Sequence, residues 1–246
     1  FGSVAWSPNG DLIAAGLSTG VEYSGKSAVL LWTGDGKPAG TVETPAPVGA
    51  LAFNPSGTVL AVGYGTLKAG GVLLWDAAEK KEVARLPAGE NLVFRLAFSP
   101  EGTRLAAAGA LGRPVFTWDT ASRKPLTTLQ PHLAPACSVA YSPEGLWLAT
   151  GSSPAFGERR GEIKFFDRRT GREARVLRGH GQMVWGLDFL PDGSRLVSSA
   201  IDGSVKLWDT VNGQDTLTLQ LGGPSLGAQA VSPDGMTIAA VRQDGR

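Results

Sequence analysis

Short apolar segments in which large and small residues alternate recur along the whole chain. Leu51-Ala52-Phe53, Leu96-Ala97-Phe98 and Val139-Ala140-Tyr141 are three of them. A large-small-large pattern at a period of two residues indicates a β-strand that packs on both faces, because successive side chains of a strand point to opposite sides. No segment of helix length repeats its apolar positions every 3.6 residues. The pattern therefore predicts an all-β protein.

A turn signature follows each of these segments. The tetrapeptide Ser/Asn/Leu-Pro-x-Gly begins at residues 7, 54, 99, 142, 190 and 232, and its prolines are 47, 45, 43, 48 and 42 residues apart. Proline presets φ at the second position of a type I turn, and glycine suits the position after the turn, where φ is often positive. The apolar run after each turn is therefore predicted to pair back as a second strand.

Each complete unit then closes with an aromatic residue at the end of a third apolar run. Segments such as 82–86 and 174–177 are predicted to add a fourth strand. A repeat of this length is typical of propellers and solenoids, in which each unit buries its faces against its neighbours. The closing aromatic residues are Trp32, Trp75, Trp118, Phe166 and Trp208.

The best preserved unit contains Gly179-His180, Pro191-Asp192-Gly193 and Leu207-Trp208-Asp209. With these motifs the chain resembles the WD-repeat (WD40) β-propeller family, and the resemblance covers essentially all 246 residues. It implies a single partial propeller domain over 1–246, with five complete four-stranded blades and half of a sixth. The blades are expected at about 1–45, 46–88, 89–131, 132–178, 179–221 and 222–246.

Members of this family commonly close a ring of seven blades, so the chain is expected to be a fragment of a larger ring. Phe1 lies within the predicted first strand, which places the expected N-terminus further upstream. A partial ring leaves two open sheet edges. These edges are expected to favour self-association, because unpaired strands can pair with another chain.

The composition argues against several classes of ligand. The net charge is +1, from 23 basic and 22 acidic residues, which gives no electrostatic footprint for nucleic acid. The single Cys137 excludes an internal disulfide, and two histidines leave little material for a zinc site. No apolar run reaches the roughly 18 residues of a membrane span. The sequence predicts no cofactor, no metal, no nucleic-acid partner and no membrane span.

Three residues of the best preserved unit, His180, Ser198 and Asp202, have the types of a hydrolytic triad. The resemblance implies a different role, in which they and Trp208 form a hydrogen-bonded structural tetrad. The chain is accordingly predicted not to be an enzyme. Each such bond contributes about 0.5–1.5 kcal/mol to stability.

The other blades depart from this tetrad. In blade 4, His132 and Thr150 match, but Phe166 replaces the tryptophan and Arg160 stands at the acidic position. Blades 1 to 3 keep the tryptophan and have other residues in place of the acid: Lys26, Ala69 and Gly112. Only blade 5 carries the complete set, so the others are expected to depend more on packing.

An alternative function comes from the segment Gly20 to Ser27, which matches the phosphate-loop pattern Gly-x4-Gly-Lys-Ser/Thr. That motif requires a helix after the loop, whereas Ala28 to Trp32 is predicted to be a strand. Nucleotide binding or hydrolysis at this segment stays open as the alternative. So does a propeller that serves a catalytic or redox domain outside this sequence.

The favoured function is a non-catalytic scaffold that binds a protein or peptide partner. The connections between the second and third strands are predicted to be long in blades 1, 2 and 4, over 16–27, 63–71 and 151–161, on the rim that bears the His180 loop. An apolar centre surrounded by arginine and aromatic residues suits protein recognition, although Trp185 and Phe94 could equally plug the channel. The candidate contacts are Leu92, Phe94, Cys137, Met183, Trp185 and Ile201 at the channel mouth, with Arg95, Arg160, Tyr23, Tyr64, Arg113, Phe156 and Arg159 outside it.

Overall fold

The computed structural model describes residues 3–17, 27–66, 69–89, 92–109, 114–130, 132–154, 160–222 and 226–242. The chain divides into two compact units. The first comprises residues 1–110 and 116–128, and the second comprises 111–115 and 129–246. Every regular element among the described residues is a β-strand.

Three antiparallel sheets of four strands, here called blades 1 to 3, make up the first unit. Only Val115 and Leu129, at the ends of two strands of blade 3, are assigned to the second unit. In each sheet the strands lie side by side in chain order. Blade 1 has β1 (Ser3–Trp6), β2 (Leu12–Gly16), β3 (Ser27–Thr33) and β4 (Pro38–Thr44); blade 2 has β5 (Val48–Phe53), β6 (Val59–Gly65), β7 (Gly70–Asp76) and β8 (Lys81–Pro87); blade 3 has β9 (Val93–Phe98), β10 (Arg104–Gly109), β11 (Val115–Asp119) and β12 (Pro125–Leu129).

The second unit contains two further sheets of four strands and one of two, blades 4 to 6. With the first unit they confirm the predicted all-β propeller fold, with five four-stranded blades and half of a sixth. Blade 4 has β13 (Ala136–Tyr141), β14 (Trp147–Ser152), β15 (Gly161–Asp167) and β16 (Glu173–His180); blade 5 has β17 (Val184–Phe189), β18 (Arg195–Ala200), β19 (Ser204–Asp209) and β20 (Asp215–Gln220); blade 6 has β21 (Leu226–Val231) and β22 (Ile238–Arg242).

The Pro-x-Gly turns form as the sequence predicts. In all six blades the glycine N–H donates to the carbonyl of the residue before the proline, at 2.8–2.9 Å. Each of these glycines has a φ between 69° and 80°, a region that side chains with a Cβ rarely adopt. They are Gly10, Gly57, Gly102, Gly145, Gly193 and Gly235.

Apolar cores lie between successive blades within each unit. One cluster joins blades 1 and 2, and its fully buried members include Val29, Leu60 and Leu73. A corresponding cluster joins blades 4 and 5 through Ile163 and Leu196. Burying one such side chain contributes about 1.5–3 kcal/mol. The alternating strand pattern is therefore explained by sheets that cover each other's faces.

The connection in blade 2 differs from the prediction. Instead of a loop over 63–71, β6 and β7 continue to pair as far as Gly65 and Gly70. Tyr64 packs over the opposing strand, where a Cβ on Gly71 would lie 2.8 Å from its phenolic oxygen. Because Gly71 has no Cβ, β7 can pass close to the Tyr64 ring. The extra residues of this connection therefore lengthen the hairpin of β6 and β7.

Candidate functional site

The His180 side chain, at the end of β16 in blade 4, lies at the centre of a hydrogen-bonded cluster whose other members belong to blade 5. Its Nε2 lies 2.6 Å from Ser198 Oγ, and its Nδ1 lies 3.3 Å from Asp202 Oδ2 and 3.0 Å from Ser204 Oγ. The Trp208 indole N–H donates to Ser198 Oγ at 2.7 Å. The structure therefore brings together the four side chains that the sequence singled out, and it adds Ser204.

Asp202 is held by donors from three directions. Besides His180, the N–H of Gly181 donates to Oδ2 at 2.6 Å, and the N–H and hydroxyl of Ser204 donate to Oδ1 at 2.9 and 2.6 Å. Burial by itself would raise the pKa of Asp202, but the hydrogen bonds from His180, Ser204 and Gly181 outweigh it and hold the pKa well below its usual range. The carboxylate is thus ionised, and it orients His180 with Nδ1–H toward Asp202.

The chemistry available to Ser198 follows from its surroundings. The residue is 0% exposed, lies in the middle of β18, and shares its oxygen between the His180 ring and the Trp208 indole. A catalytic nucleophile must reach a substrate atom at about 3 Å. A hydroxyl buried on all sides by the blades has no such access. The arrangement satisfies buried polar groups and links the end of β16 in blade 4 to β18 and β19 in blade 5.

Blade 4 contains a related cluster that corrects the prediction made for it. The sequence places Arg160 at the acidic position, but this residue is exposed just before β15. The carboxylate comes from Glu162, whose Oε1 lies 3.1 Å from His132 Nδ1, while His132 Nε2 lies 2.9 Å from Thr150 Oγ1. In blade 4, Glu162 reaches His132 from within β15. In blade 5, by contrast, Asp202 reaches His180 from the turn before β19.

Burial and charge set the protonation of this second cluster. Burial lowers the pKa of His132, and the Glu162 carboxylate only partly offsets that effect. Burial would raise the pKa of Glu162, but the hydrogen bond with His132 and the positive charge of Lys164 lower it overall. A neutral His132 that donates Nδ1–H to an ionised Glu162 and accepts from the Thr150 hydroxyl satisfies every group.

Blade 2 shows what happens when the hydroxyl is missing. Trp75 occupies the place of Trp208, but its buried Nε1–H has no acceptor among the described residues. The strand registers match, with Leu60 opposite Trp75 and Leu196 opposite Trp208, so Val62 occupies the place of Ser198. An unpaired buried donor costs about 1–3 kcal/mol.

We expect Val62→Thr to leave the free energy of unfolding within about 0.5 kcal/mol of wild type or to raise it. Burying a hydroxyl in place of a methyl is normally unfavourable, but here it supplies the missing acceptor for Trp75. Val72→Thr is the matched control, because Val72 is equally buried on the opposite face of the blade. It should lose about 1–3 kcal/mol in urea unfolding. Equal losses in the two variants would contradict the assignment.

A repeated β-bulge determines where three of the candidate contact residues lie. Near the start of the first strand of blades 3, 4 and 5 (β9, β13 and β17), one extra residue interrupts the register with the second strand. The extra residues are Phe94, Cys137 and Trp185, and Gly49 has the same position in blade 2. Bulges redirect a side chain away from the ladder and are frequent at functional rims. Nothing in the alternating pattern of the sequence distinguishes these positions.

The exposure of these residues differs. Phe94 and Trp185 are partly exposed, whereas Cys137 is 2% exposed and its Sγ lies 3.5 Å from the Pro135 carbonyl. The cysteine thus lies inside blade 4. In blade 3, Leu92 lies over Gly49, where a Cβ would be 3.2 Å from Leu92 Cδ1 and 2.3 Å from the Val93 carbonyl.

Other candidate contacts lie beside these bulges. In blade 5 the Ile201 N–H donates to the Met183 carbonyl at 3.0 Å, so the two partly exposed side chains flank the turn before β19. In blade 3 the Arg95 guanidinium donates to the Phe94 carbonyl at 2.9 Å. Blade 3 belongs to the first unit and blades 4 and 5 to the second.

Several predicted residues lie outside the described part of the chain. They include most of the phosphate-loop segment, since only Ser27 of 20–27 is described, and that residue begins β3. Its side chain is 1% exposed. No helix in the described ranges has the length and apolarity needed to cross a membrane. The other candidates outside the description are Tyr23, Lys26, Gly112, Arg113, Phe156 and Arg159.

Two family models match the chain, and both describe WD40 repeats. The WD domain, G-beta repeat, matches residues 123–156 and 171–209, and the anaphase-promoting complex subunit 4 WD40 domain matches residues 4–101. Together they cover more than half of the chain.

Curated relatives match over shorter segments. Human striatin-4 is 56% identical over 34 residues, which are 14% of this chain and 4% of striatin-4. Human coronin-7 is 40% identical over 72 residues, 29% of this chain and 8% of coronin-7. A guanine nucleotide-binding protein subunit beta from Zea mays is 34% identical over 65 residues, 26% of this chain and 17% of that protein. The matches thus span less than a fifth of the length of each relative.

Solved structures match over nearly the whole chain. A chain of the mitotic checkpoint complex has a TM-score of 0.82 at 20% identity, covering 98% of this chain and 72% of that one. A chain of Kuenenia stuttgartiensis hydrazine synthase has a TM-score of 0.84 at 18% identity, covering 99% and 74%. At these identities the likeness concerns the fold alone. With the repeated motifs, the blades and the two matching family models, the chain belongs to the WD40-repeat family.

Proposed function

We propose that the chain is a non-catalytic scaffold that binds a protein partner through the rim of the second unit that bears the bulged strand β17. The observation that carries the proposal is the β-bulge that turns Trp185 out of the ladder of blade 5 and leaves its side chain partly exposed. Blade 3 places Phe94 at the same position. Partly exposed aromatic side chains on a rigid sheet are typical anchors of protein interfaces.

The surroundings of Trp185 support this role. Met183 and Ile201 flank it with two further apolar side chains, joined through their backbones. Fixed strands on both sides mean that little conformational entropy is lost when a partner orders this surface. An apolar centre of this kind favours recognition of a protein over recognition of a small charged ligand.

Two observations weigh against the catalytic and nucleotide-binding alternatives. The Ser198 hydroxyl is buried and shared between two ring nitrogens, so it lacks the access that a nucleophile needs. Ser27, the last residue of the phosphate-loop pattern, begins a β-strand, whereas the motif needs that residue at the start of a helix. The proposal therefore gives the polar residues a structural role and the rim a binding role.

A photo-crosslinking side chain at position 185 should form a covalent adduct with a specific partner. We expect p-benzoylphenylalanine in place of Trp185 or Met183 to capture the same protein, and Trp185→Ala to weaken its affinity about 30-fold, since an anchor residue contributes about 2 kcal/mol or more. Crosslinking in extracts, followed by titration of the purified partner, measures both.

The control is Val211, which is 80% exposed in the turn between β19 and β20, at the other end of the third strand. The same crosslinker there should give no adduct with that protein, and Val211→Ala should leave its affinity unchanged. Adducts from position 211 but not from 185 or 183 would place the interface elsewhere. Urea midpoints of all variants within error of wild type would show that the fold is intact.

A further inference from the structure

A groove of about 560 Å³ lies between blades 1 and 2, within the first unit. Its lining includes Gly40 on β4, the indole of Trp75 at the end of β7, and Ala77 in the turn after β7. Two charged residues, Asp11 and Lys80, also line it. The groove shares no residue with the surface around Trp185, and nothing in the proposed function uses it.

The second unit contains the corresponding interface between blades 4 and 5, and the strand registers define the equivalent positions. Gly40 pairs with the residue before Trp32, and Arg175 pairs with the residue before Phe166. On the facing blade, Ala77 follows the last residue of β7 and Thr210 follows the last residue of β19, and both last residues are aspartates. The N–H of Ala77 donates to the Thr58 carbonyl and the N–H of Thr210 donates to the Ser194 carbonyl. Thr58 and Ser194 each come directly after the glycine of a Pro-x-Gly turn. Gly40 therefore corresponds to Arg175, and Ala77 corresponds to Thr210.

In the second unit the Arg175 side chain spans this interface. Its guanidinium donates to the Thr210 carbonyl of the facing blade. The same side chain lies against Gly213, where a Cβ would be 3.1 Å from Arg175 Cδ. Blade 4 thus places an arginine across the interface, with its stem beside the turn that contains Gly213 and its charged end on a turn carbonyl.

In the first unit the equivalent space is empty of side chain. Gly40 has a φ of 141°, a value that disfavours any residue with a Cβ, and a Cβ built there would meet nothing within 4 Å. Among the described residues, no group donates to the Ala77 carbonyl. The acceptor that Arg175 satisfies between blades 4 and 5 is therefore present between blades 1 and 2 without its donor.

We propose that the groove between blades 1 and 2 binds the arginine side chain of a protein partner, in the position that Arg175 occupies between blades 4 and 5. The guanidinium donates to the Ala77 carbonyl and to the Asp11 carboxylate, and its stem lies beside the Trp75 ring. Arginine suits this arrangement because its planar head carries several donors and also packs on aromatic faces. The volume lies within the range of binding pockets and leaves room for the residues that flank the arginine in the partner.

The two charged lining residues make opposite contributions. Asp11 attracts the guanidinium and accepts its hydrogen bonds, whereas Lys80 repels it. Both side chains are exposed, so solvent screens each effect. Neutralising Asp11 should therefore weaken binding of the arginine, and neutralising Lys80 should strengthen it.

The test is an NMR titration of the ¹⁵N-labelled chain with N-acetyl-L-arginine methylamide, which does not require the natural partner. The cross-peak of the Trp75 indole N–H, assigned from its loss in Trp75→Phe, should shift to saturation. The citrulline analogue, which has the same shape without the charge, should bind at least about tenfold more weakly, since hydrogen bonds to charged groups are worth about 1.5–3 kcal/mol.

The variants separate a specific site from general charge attraction. Asp11→Asn should weaken binding about threefold and Lys80→Ala should strengthen it about twofold, whereas Asp35→Asn, an exposed acid of the same blade outside the groove, should change nothing. Arg175→Ala should create a second site, seen as a new saturable shift of the Gly213 amide. Equal shifts with the citrulline analogue, no saturable shift with arginine, or no second site in Arg175→Ala would each overturn the proposal. None of these results bears on the rim around Trp185.

Discussion

Trp208→Ala is expected to destabilise the protein by about 3–5 kcal/mol, the largest loss for any single substitution considered. The indole is 2% exposed and belongs to the core between blades 4 and 5. A Cβ on Gly179 would lie 3.0 Å from the ring, and Lys206 Nζ lies 5.7 Å from its centroid. Removing the side chain leaves a cavity and also removes the hydrogen bond that the indole N–H donates to Ser198 Oγ.

Two further variants separate the contributions to this loss. Trp208→Phe keeps most of the apolar contact but removes the hydrogen bond to Ser198, so we expect a loss of about 1–2 kcal/mol. Trp6→Ala removes a tryptophan that is 61% exposed and should cost less than about 1 kcal/mol. Urea unfolding should be followed by circular dichroism, because the loss of a tryptophan changes the intrinsic fluorescence of the variants. A loss below about 1 kcal/mol for Trp208→Ala would contradict the structural role of the cluster.

The sequence predicts the features that depend on local chemistry. Strand alternation and the Pro-x-Gly turns require only neighbouring residues, which is why Gly57 and Gly193 adopt the expected φ in different blades. The partners of His180 were also predictable, through the family resemblance. Their distances could not be predicted, and neither could the part that Ser204 plays, because hydrogen-bond geometry depends on how three strands align.

The features that the sequence did not predict depend on register or on side-chain length. Glu162 replaces an aspartate because its extra methylene lets it reach His132 from inside a strand, which a search at fixed spacing misses. Phe94 and Trp185 occupy bulges whose extra residue leaves the alternating pattern unchanged. The equivalence of Gly40 and Arg175 follows from the strand registers of blades 1 and 4. The two residues are far apart in the sequence and differ in type, so the sequence alone does not relate them.

Asp202→Ala is expected to lose about 2–4 kcal/mol of stability at neutral pH. The substitution removes the carboxylate that accepts from the N–H of Gly181, from Ser204 and from the buried ring of His180, and it leaves His180 Nδ1 with Ser204 Oγ alone. Losing a charged partner of a buried polar group is costly. Asp192→Ala is the matched control, because Asp192 accepts from the N–H and hydroxyl of Ser194 as Asp202 does from Ser204, but on the exposed surface. It should lose only about 0.5 kcal/mol.

The pH dependence of the Asp202 effect has a definite sign. The folded protein holds the pKa of Asp202 below that of the unfolded chain, mainly because the hydrogen bonds from His180 and Ser204 outweigh burial. Its contribution is therefore complete above the unfolded pKa of about 3.9 and is lost as the pH falls toward the folded value. The stability gap between wild type and Asp202→Ala should stay constant from about pH 7 to pH 5, then narrow by about 1.4 kcal/mol for each unit below pH 4. Urea unfolding at a series of pH values measures this gap, and one that widened below pH 4 would show that Asp202 is not an ionised acceptor in the folded protein.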